Sequence, residues 1–124
     1  MVMELEYDRS LYGKEHLAGP FDVTTELIQA FTASLSETNP VFIDEAAALA
    51  AGYKGLLAPP TFCPVFVSRV KLPDINLDFG KMQGHAGQRV QPRGDIVAGD
   101  QVTASSHLKD VYPKTGRSGT MVFV

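Results

Sequence analysis

Residues 36–47 read Ser-Glu-Thr-Asn-Pro-Val-Phe-Ile-Asp-Glu-Ala-Ala, and this stretch is the most informative part of the chain. Pro40 interrupts it, because the residue before a proline avoids the helical region. Asp44 can then cap a new helix, since its carboxylate accepts hydrogen bonds from the first helical N–H groups. The Ala-rich residues 45–51 follow, and Gly52 stands just beyond them, as expected past a helix end. The stretch therefore predicts a short capped helix after a break in the chain.

An amphipathic helix is predicted upstream of this stretch, with Thr24 or Thr25 as its N-cap and an end near Ser36. Its apolar side chains recur at the three- and four-residue spacing of a helix and make one stripe. Before this helix, residues 21–23 can open a first strand. The stripe consists of Leu27, Ile28, Phe31 and Leu35.

A second apolar run lies downstream, in residues 61–70, and its apolar side chains cover most of the helix circumference. Such a pattern is typical of a buried helix, so this run is predicted to form a central helix wrapped by a sheet. Pro64 fits its first turn, where an N–H has no helical acceptor. Cys63 is the one cysteine of the chain, and in this apolar context we expect a buried thiol that packs as a small hydrophobe.

The pattern changes in the second half of the chain, where strands are predicted. Residues 83–90 are one predicted strand, and residues 101–112 alternate apolar and polar side chains as a half-buried strand does. Residues 113–116 are a predicted hairpin connection, and residues 118–124 a further strand. Helices first and antiparallel strands later indicate an α+β fold. Because the sequence ends within an apolar strand, we expect either further sequence beyond Val124 or a partner that covers the edge.

Composition limits the class of protein. The 124 residues, 44% of them hydrophobic and 20% charged, suit one soluble globular domain, which we place at residues 21–124 after an N-terminal arm, residues 1–20. The formal charge of −3, with no cluster of Lys or Arg, disfavours a nucleic-acid partner. The N-terminus lacks the basic start and apolar run of a signal peptide, and no stretch reaches membrane-spanning length, so we expect a cytoplasmic protein without membrane contact.

Three common kinds of site are excluded by their spacing. Gly80, Gly84 and Gly87 lack the pattern of a dinucleotide-binding loop. The histidines have no ligand spacing, so no metal site is expected. No cofactor is expected either. Serine nucleophile elbows are absent. The three histidines are His16, His85 and His107.

The stretch 36–47 and the segment 57–62, Leu-Ala-Pro-Pro-Thr-Phe, together resemble the MaoC-like family of hydratases and dehydratases, in particular its N-terminal dehydratase-domain branch. The resemblance implies a hot-dog fold, in which an antiparallel sheet wraps a central helix, and paired hot-dog units. It also implies chemistry on enoyl or 3-hydroxyacyl thioesters of coenzyme A or a carrier protein. The residues that match the family in type and spacing are Asn39, Pro40, Asp44, Ala46, Ala47 and Gly52, with further matches between His85 and Gly119.

This chain departs from the family at the residues that carry catalysis. The family aspartate falls on Glu37, and the family histidine falls on Phe42, which cannot transfer a proton. Pro59 and Pro60 replace the family's His-Gly pair at the mouth of the central helix, so the glycine amide that would bind the oxyanion is lost. The resemblance thus implies the substrate-holding half of a paired enzyme, in which a second hot-dog subunit supplies the Asp/His dyad.

The roles of the remaining polar residues stay open at this point. Glu37 is a candidate acid or base, or a solvated carboxylate at a helix end, and His85 is either its partner or a structural histidine. Arg93, Lys109 and Lys114 can meet coenzyme A phosphates or an acidic carrier protein, or are simply solvated. The alternatives to an acyl-binding half are a self-sufficient enoyl-CoA hydratase that uses Glu37, a hot-dog thioesterase and a non-catalytic acyl-CoA-binding module. The expected substrate-binding residues are Asn39, Pro59, Pro60, Thr61 and Phe62.

Overall fold

Three short helices follow one another in the computed structural model, which describes residues 4–124. Helix α1, Thr25–Ser34, begins at Thr24, whose hydroxyl accepts a hydrogen bond from the N–H of Leu27 at 3.1 Å. It buries Ile28 and Thr32, which are four residues apart and share one helix face. The predicted N-cap is therefore confirmed, and so is the apolar stripe for Leu27, Ile28 and Phe31, which pack in or against the core. Leu35 is an exception, because the helix ends at Ser34 and the Leu35 side chain is 52% exposed.

Helices α2, Pro40–Ile43, and α3, Glu45–Ala50, come directly after it. Asp44 Oδ1 accepts from the N–H of Ala46 at 3.1 Å, which confirms the predicted cap of α3. Helix α2 was not expected, since Pro40 was predicted only to break the chain. Proline is tolerated at a first helical position, where its missing N–H costs nothing, and Asn39 caps that turn through its side-chain oxygen.

Strands β1, His16–Asp22, and β2, Gln101–Ser106, pair in a two-stranded sheet. The alternation predicted for residues 101–112 is confirmed over β2, because every second residue is half-buried and the others are exposed. The predicted length is wrong, because the strand ends at Ser106 and Tyr112 belongs to another strand. The first strand begins at His16, five residues before the predicted start. Beyond β1, the Val23 N–H donates to the Asp100 carbonyl oxygen at 2.8 Å, which joins the start of the helical run to the turn before β2.

Strands β3, Tyr112–Gly116, and β4, Gly119–Phe123, form a second, antiparallel sheet. The prediction that residues 113–116 are a hairpin connection is wrong, because they belong to β3 and the connection is Arg117 and Ser118. Proline can occupy an edge strand, where its missing N–H faces no partner. Strand β4 confirms the strand predicted within residues 118–124.

The predicted strand at residues 83–90 is also wrong. The structure assigns them no regular element, and all but Val90 are exposed. Two glycines weaken this stretch as a strand, since glycine loses the most backbone entropy and offers no side chain for packing.

The described residues form two units of closely contacting chain. The helical unit comprises Ala18–Lys71 and Arg89–Ala104, and the terminal unit comprises the described chain up to Leu17 with Leu72–Gln88 and Ser105–Val124. Within the terminal unit, Leu5 and Leu11 are buried, and the Asp8 N–H donates to the Ile75 carbonyl oxygen at 2.7 Å. The division into an arm and one domain at residue 21 stays a prediction.

The core of the helical unit is an aromatic and aliphatic cluster. Phe62 is fully buried and meets Phe31 edge to face, with 5.6 Å between ring centroids. Phe21 and Phe66 stack at 5.3 Å. The buried members of the cluster are Val23, Ile28, Leu56, Ala58, Phe62 and Phe66.

The segment predicted as a buried central helix, residues 61–70, is a 3₁₀ helix over Cys63–Arg69. Phe66 is its one buried residue, whereas Val67 is 66% exposed and Cys63 is exposed. The expectation of a buried Cys63 is therefore wrong. An apolar circumference leads to burial only where other elements surround it, and in the helical unit the core covers one side of this segment.

Candidate functional site

Glu37 occupies the loop between α1 and α2, and it is the residue that the resemblance aligns with a catalytic aspartate. Its Oε1 atom accepts hydrogen bonds from the backbone N–H groups of Thr38 and Asn39, at 2.9 and 3.0 Å. Its own N–H donates to the Thr32 carbonyl oxygen of the last turn of α1 at 3.0 Å. The half-buried carboxylate thus holds its own loop through one oxygen, and Oε2 is the oxygen left for other contacts.

A surface pocket of about 260 Å³ lies beside this carboxylate, between the C-terminal turn of α1 and the end of α2. Glu37 is the one charged side chain that lines it, and Ile43 supplies an apolar wall that is 40% exposed. The sequence did not single out this pocket. The one sequence feature that could have indicated it is Thr32, a polar residue on the same face of α1 as the apolar Ile28. The lining residues are Gln29, Thr32, Ala33, Ser36, Glu37 and Ile43.

Phe42, which the resemblance aligns with a catalytic histidine, is half-buried on α2. The helical unit, which also contains Glu37, has no histidine in its sequence. His85 belongs to the terminal unit, where its side chain is exposed in the irregular part of Leu72–Gln88. Pairing of Glu37 with His85 stays a prediction.

The segment that contains Pro59 and Pro60 lies next to the helix that carries Phe42. The N–H of Leu57 donates to the Val41 carbonyl oxygen of α2 at 3.2 Å, which joins the segment before Pro59 to the helix that carries Phe42. A short bridge also holds this segment, because the Ala58 N–H donates to the Ile96 carbonyl oxygen at 2.8 Å. The fold therefore brings both altered segments together in the helical unit.

The predicted substrate-binding residues differ in accessibility. Asn39, Pro60 and Thr61 are exposed. Pro59 is buried and its carbonyl oxygen accepts from the Phe62 N–H at 2.9 Å. Phe62 has no exposed surface, so in this structure its ring packs in the core and offers no face to a ligand. The side-chain oxygen of Asn39 accepts a hydrogen bond from the Val41 N–H at 3.3 Å.

Two further findings concern residues 4–124. In this range no three His, Cys, Asp or Glu side chains are grouped so that they could hold a metal ion. No helix within it is long and apolar enough to cross a membrane.

The architecture has a solved counterpart in the crystal structure of the ChsH1-ChsH2 complex from Mycobacterium tuberculosis. The match has a TM-score of 0.52 at 24% identity and covers 89% of this chain and 69% of that chain. It shows the fold, and the α+β domain described above is of the hot-dog class.

The family follows from the sequence comparisons. The model described as FAS1-like, dehydratase domain region, matches residues 10–124, and the chain belongs to this family. Among its relatives is a UPF0336 protein of Thermobifida fusca (strain YX), 33% identical over 116 residues, which are 88% of this chain and 75% of that protein. A UPF0336 protein of Leifsonia xyli is 37% identical over 98 residues, 74% of this chain and 64% of that protein. The resemblance to MaoC-like dehydratases is thereby confirmed.

Proposed function

We propose that this chain is the acyl-binding half of an enoyl-thioester hydratase or 3-hydroxyacyl-thioester dehydratase, completed by a hot-dog partner that carries the Asp/His dyad. The substrate is an acyl thioester of coenzyme A or of a carrier protein. The reaction needs neither a metal nor a cofactor, and its expected setting is the cytoplasm.

The observation that carries this proposal is the state of Glu37. Addition of water to an enoyl thioester requires a group that takes a proton from the water and a group that returns one to the neighbouring carbon. Glu37 uses one carboxylate oxygen to hold its own loop, and Phe42 supplies no proton. Because the helical unit contains no histidine, that unit lacks the second proton-transfer group of the family. Loss of such a group typically lowers a rate by about 10²- to 10⁴-fold.

The Pro59-Pro60 segment supports the same proposal. An enolate oxygen is stabilised by N–H groups that point at it, and each such donor is worth about 10²- to 10³-fold in rate. Pro60 is exposed beside Thr61 but has no N–H to offer. An exposed apolar ring can still contact an acyl chain, so this segment suits substrate holding better than oxyanion binding.

Pairing with a partner rests on analogy to the structural counterpart, which is a complex of two proteins, ChsH1 and ChsH2. A chain that shares this fold can therefore assemble with a second, different protein. We propose the same arrangement here, with Asn39 and Thr61 as the exposed polar residues that orient the thioester and the domain of residues 21–124 as the pairing unit.

The test is hydration of trans-2-enoyl-CoA of short and long chain length, followed by loss of the enoyl absorbance. We expect no turnover by this chain alone and turnover when it is mixed with a hot-dog chain that retains the family Asp and His, above the rate of that chain by itself. Glu37→Gln is the matched variant, and the mixture that contains it should keep its rate.

Other outcomes of this experiment select other functions. Turnover by this chain alone that is lost in Glu37→Gln identifies a self-sufficient hydratase. Release of free thiol from acyl-CoA identifies a thioesterase. Saturable acyl-CoA binding with no turnover in any mixture identifies a binding module.

A further inference from the structure

The pocket beside Glu37, called the Glu37 pocket from here on, lies in a part of the chain that carries only negative charge. Residues 18–53 of the helical unit include five Asp or Glu and no Lys or Arg. The pocket is also at the C-terminal end of α1, the negative end of the helix dipole, and no basic residue stands in the last turn of that helix. The Glu37 pocket thus has the electrostatic property that a cation site requires.

The lining residues of the Glu37 pocket are held together by the helix and by a printed turn of backbone hydrogen bonds. Gln29, Thr32 and Ala33 are three and four residues apart on α1, the spacing that places side chains on one helix face. The N–H of Glu37 donates to the Thr32 carbonyl oxygen at 3.0 Å, which fixes the carboxylate residue against the same helix turn. The charged and the neutral polar groups of the pocket therefore belong to one locally rigid structure.

The hydrogen-bond donors around the Glu37 pocket are used within the chain. Each of the five consecutive N–H groups of residues 35–39 donates internally, the first three to carbonyl oxygens of α1 and the last two to Glu37 Oε1. The hydroxyl of Thr32, a residue that is 2% exposed, donates to the Gln29 carbonyl oxygen at 3.1 Å. What this hydroxyl oxygen can still do is accept, as a carboxylate does. The pocket therefore suits a ligand that donates hydrogen bonds, and it does not suit an anion.

We propose that the Glu37 pocket binds a primary ammonium group on a short alkyl stem, with the Glu37 carboxylate as the charged contact. An ammonium has three N–H donors and no acceptor, and its hydrogen bonds to a carboxylate are charge-assisted. The oxygens of Gln29, Thr32 and Ser36 are the neutral acceptors in the lining. The apolar wall of Ile43, 40% exposed, covers the stem in the way that apolar surface covers the methylene groups of a lysine.

The size of the pocket limits the ligand. A volume of about 260 Å³ is below the range of sites that hold drug-sized molecules, so the pocket suits a small group. An ammonium on an alkyl stem can come from a small alkylamine or from a lysine side chain of another protein, and the test separates these two sources. The inference does not rest on the proposed function, in which Glu37 takes no part in proton transfer.

The test is a titration of the full isotope-labelled chain by amide NMR at constant pH and ionic strength. The probes are n-butylammonium, butane-1,4-diamine and Nα-acetyl-lysine methylamide, and the controls are sodium chloride and n-butanol, which has the same stem without the charge. We expect saturable shifts confined to residues 29–43 with n-butylammonium. Tighter binding of the diamine identifies a small amine as the source, whereas tighter binding of the lysine derivative identifies a protein side chain.

Two variants make the proposal falsifiable. Glu37→Gln keeps an acceptor oxygen and removes the charge, and it should weaken n-butylammonium binding by about tenfold or more, the effect of losing one charge-assisted hydrogen bond. Ile43→Ala removes apolar surface without changing charge and should weaken binding by a smaller factor. The matched control is Glu45→Gln, which removes the same charge from an exposed residue of α3 outside the pocket and should bind as the unaltered chain does.

The proposal is overturned if no ammonium probe produces saturable shifts. It is also overturned if n-butanol binds as tightly as n-butylammonium, because the pocket then recognises the stem alone. Equal losses of binding in Glu37→Gln and Glu45→Gln overturn it as well, because the attraction then comes from net charge. The unchanged amide spectrum of the rest of the chain shows that each variant is folded.

Discussion

Phe62 and Phe66 meet edge to face, with 5.6 Å between their ring centroids and 88° between their planes. This contact attaches the 3₁₀ segment Cys63–Arg69 to the core of the helical unit, since Phe66 is the buried residue of that segment. An edge-to-face pair contributes about 0.5–1.5 kcal/mol beyond the area it buries. Pro59 and Pro60 stand just before Phe62 in the chain. The packing of Phe62 in the core therefore also holds this part of the candidate site in place.

Phe62→Ala should lower the free energy of unfolding by about 3–5 kcal/mol, because it empties a fully buried position in contact with two aromatic rings. Val67→Ala is the matched control within the same segment. Val67 is 66% exposed, and its truncation should change the free energy by less than about 0.5 kcal/mol. Urea denaturation followed by circular dichroism measures both, and equal losses would contradict the packing described here.

Gly55→Ala should destabilise the chain by about 1–3 kcal/mol, the usual cost of overpacking. A side-chain carbon at Gly55 would lie 2.7 Å from the Ala98 carbonyl oxygen, a backbone atom that cannot move alone. Gly84→Ala tests the opposite case, because nothing lies within 4 Å of the corresponding position. Thermal unfolding should show a lower Tm for the first variant and an unchanged or slightly higher Tm for the second.

Cys63 should react with a thiol reagent in the folded chain, because its side chain is exposed. We expect one thiol to be titrated by Ellman's reagent without denaturant, at a rate near that of the unfolded chain. Cys63→Ser gives the background. A thiol that reacts only after denaturation would restore the sequence-based expectation of a buried residue.

Glu37→Ala should destabilise the loop between α1 and α2 by about 1 kcal/mol, because two backbone N–H groups lose their acceptor. Glu37→Gln keeps an acceptor oxygen at the same place and should cost little. A comparison of the two by urea denaturation separates the structural role of the side chain from its charge. If both variants lower the free energy of unfolding equally, the negative charge of Glu37 stabilises the loop, and an uncharged acceptor oxygen does not replace it.

The hydrogen bond with the Tyr12 hydroxyl, and to a smaller extent removal from water, raise the pKa of the Tyr7 phenol above its ordinary value. The folded state thus favours the protonated phenol. Its contribution to stability is complete below the ordinary pKa of about 10 and is lost as the pH rises through the higher folded value. Tyr12→Phe should lower the pKa of Tyr7, which tyrosinate absorbance during an alkaline titration can measure. An identical titration in the variant would contradict this assignment.

Local signals in the sequence located some elements accurately. Thr24 and Asp44 were recognisable as caps because the hydrogen bonds that make a cap join residues two or three positions apart. The exposure of Cys63 could not be read in the same way, because burial depends on which distant elements lie against a segment. The family likeness located Glu37 and Phe42, but the double hydrogen bond of the Glu37 carboxylate depends on the loop conformation, which residue types do not specify.

The contact between Val23 and Asp100 has a consequence for the timing of folding. The caps and helical hydrogen bonds of residues 24–51 join residues that are close in the sequence, so none of them requires a residue that is synthesised much later. The hydrogen bond of Val23 can form only after Asp100, far along the chain, has been synthesised. At a synthesis rate of about 5–20 residues per second, that delay is roughly 4–15 s. During this time the apolar side chains of α1 lack the later part of the chain against which they pack. Newly made copies are therefore most exposed to proteases and chaperones in this interval, before the ribosome has delivered the turn that closes the core.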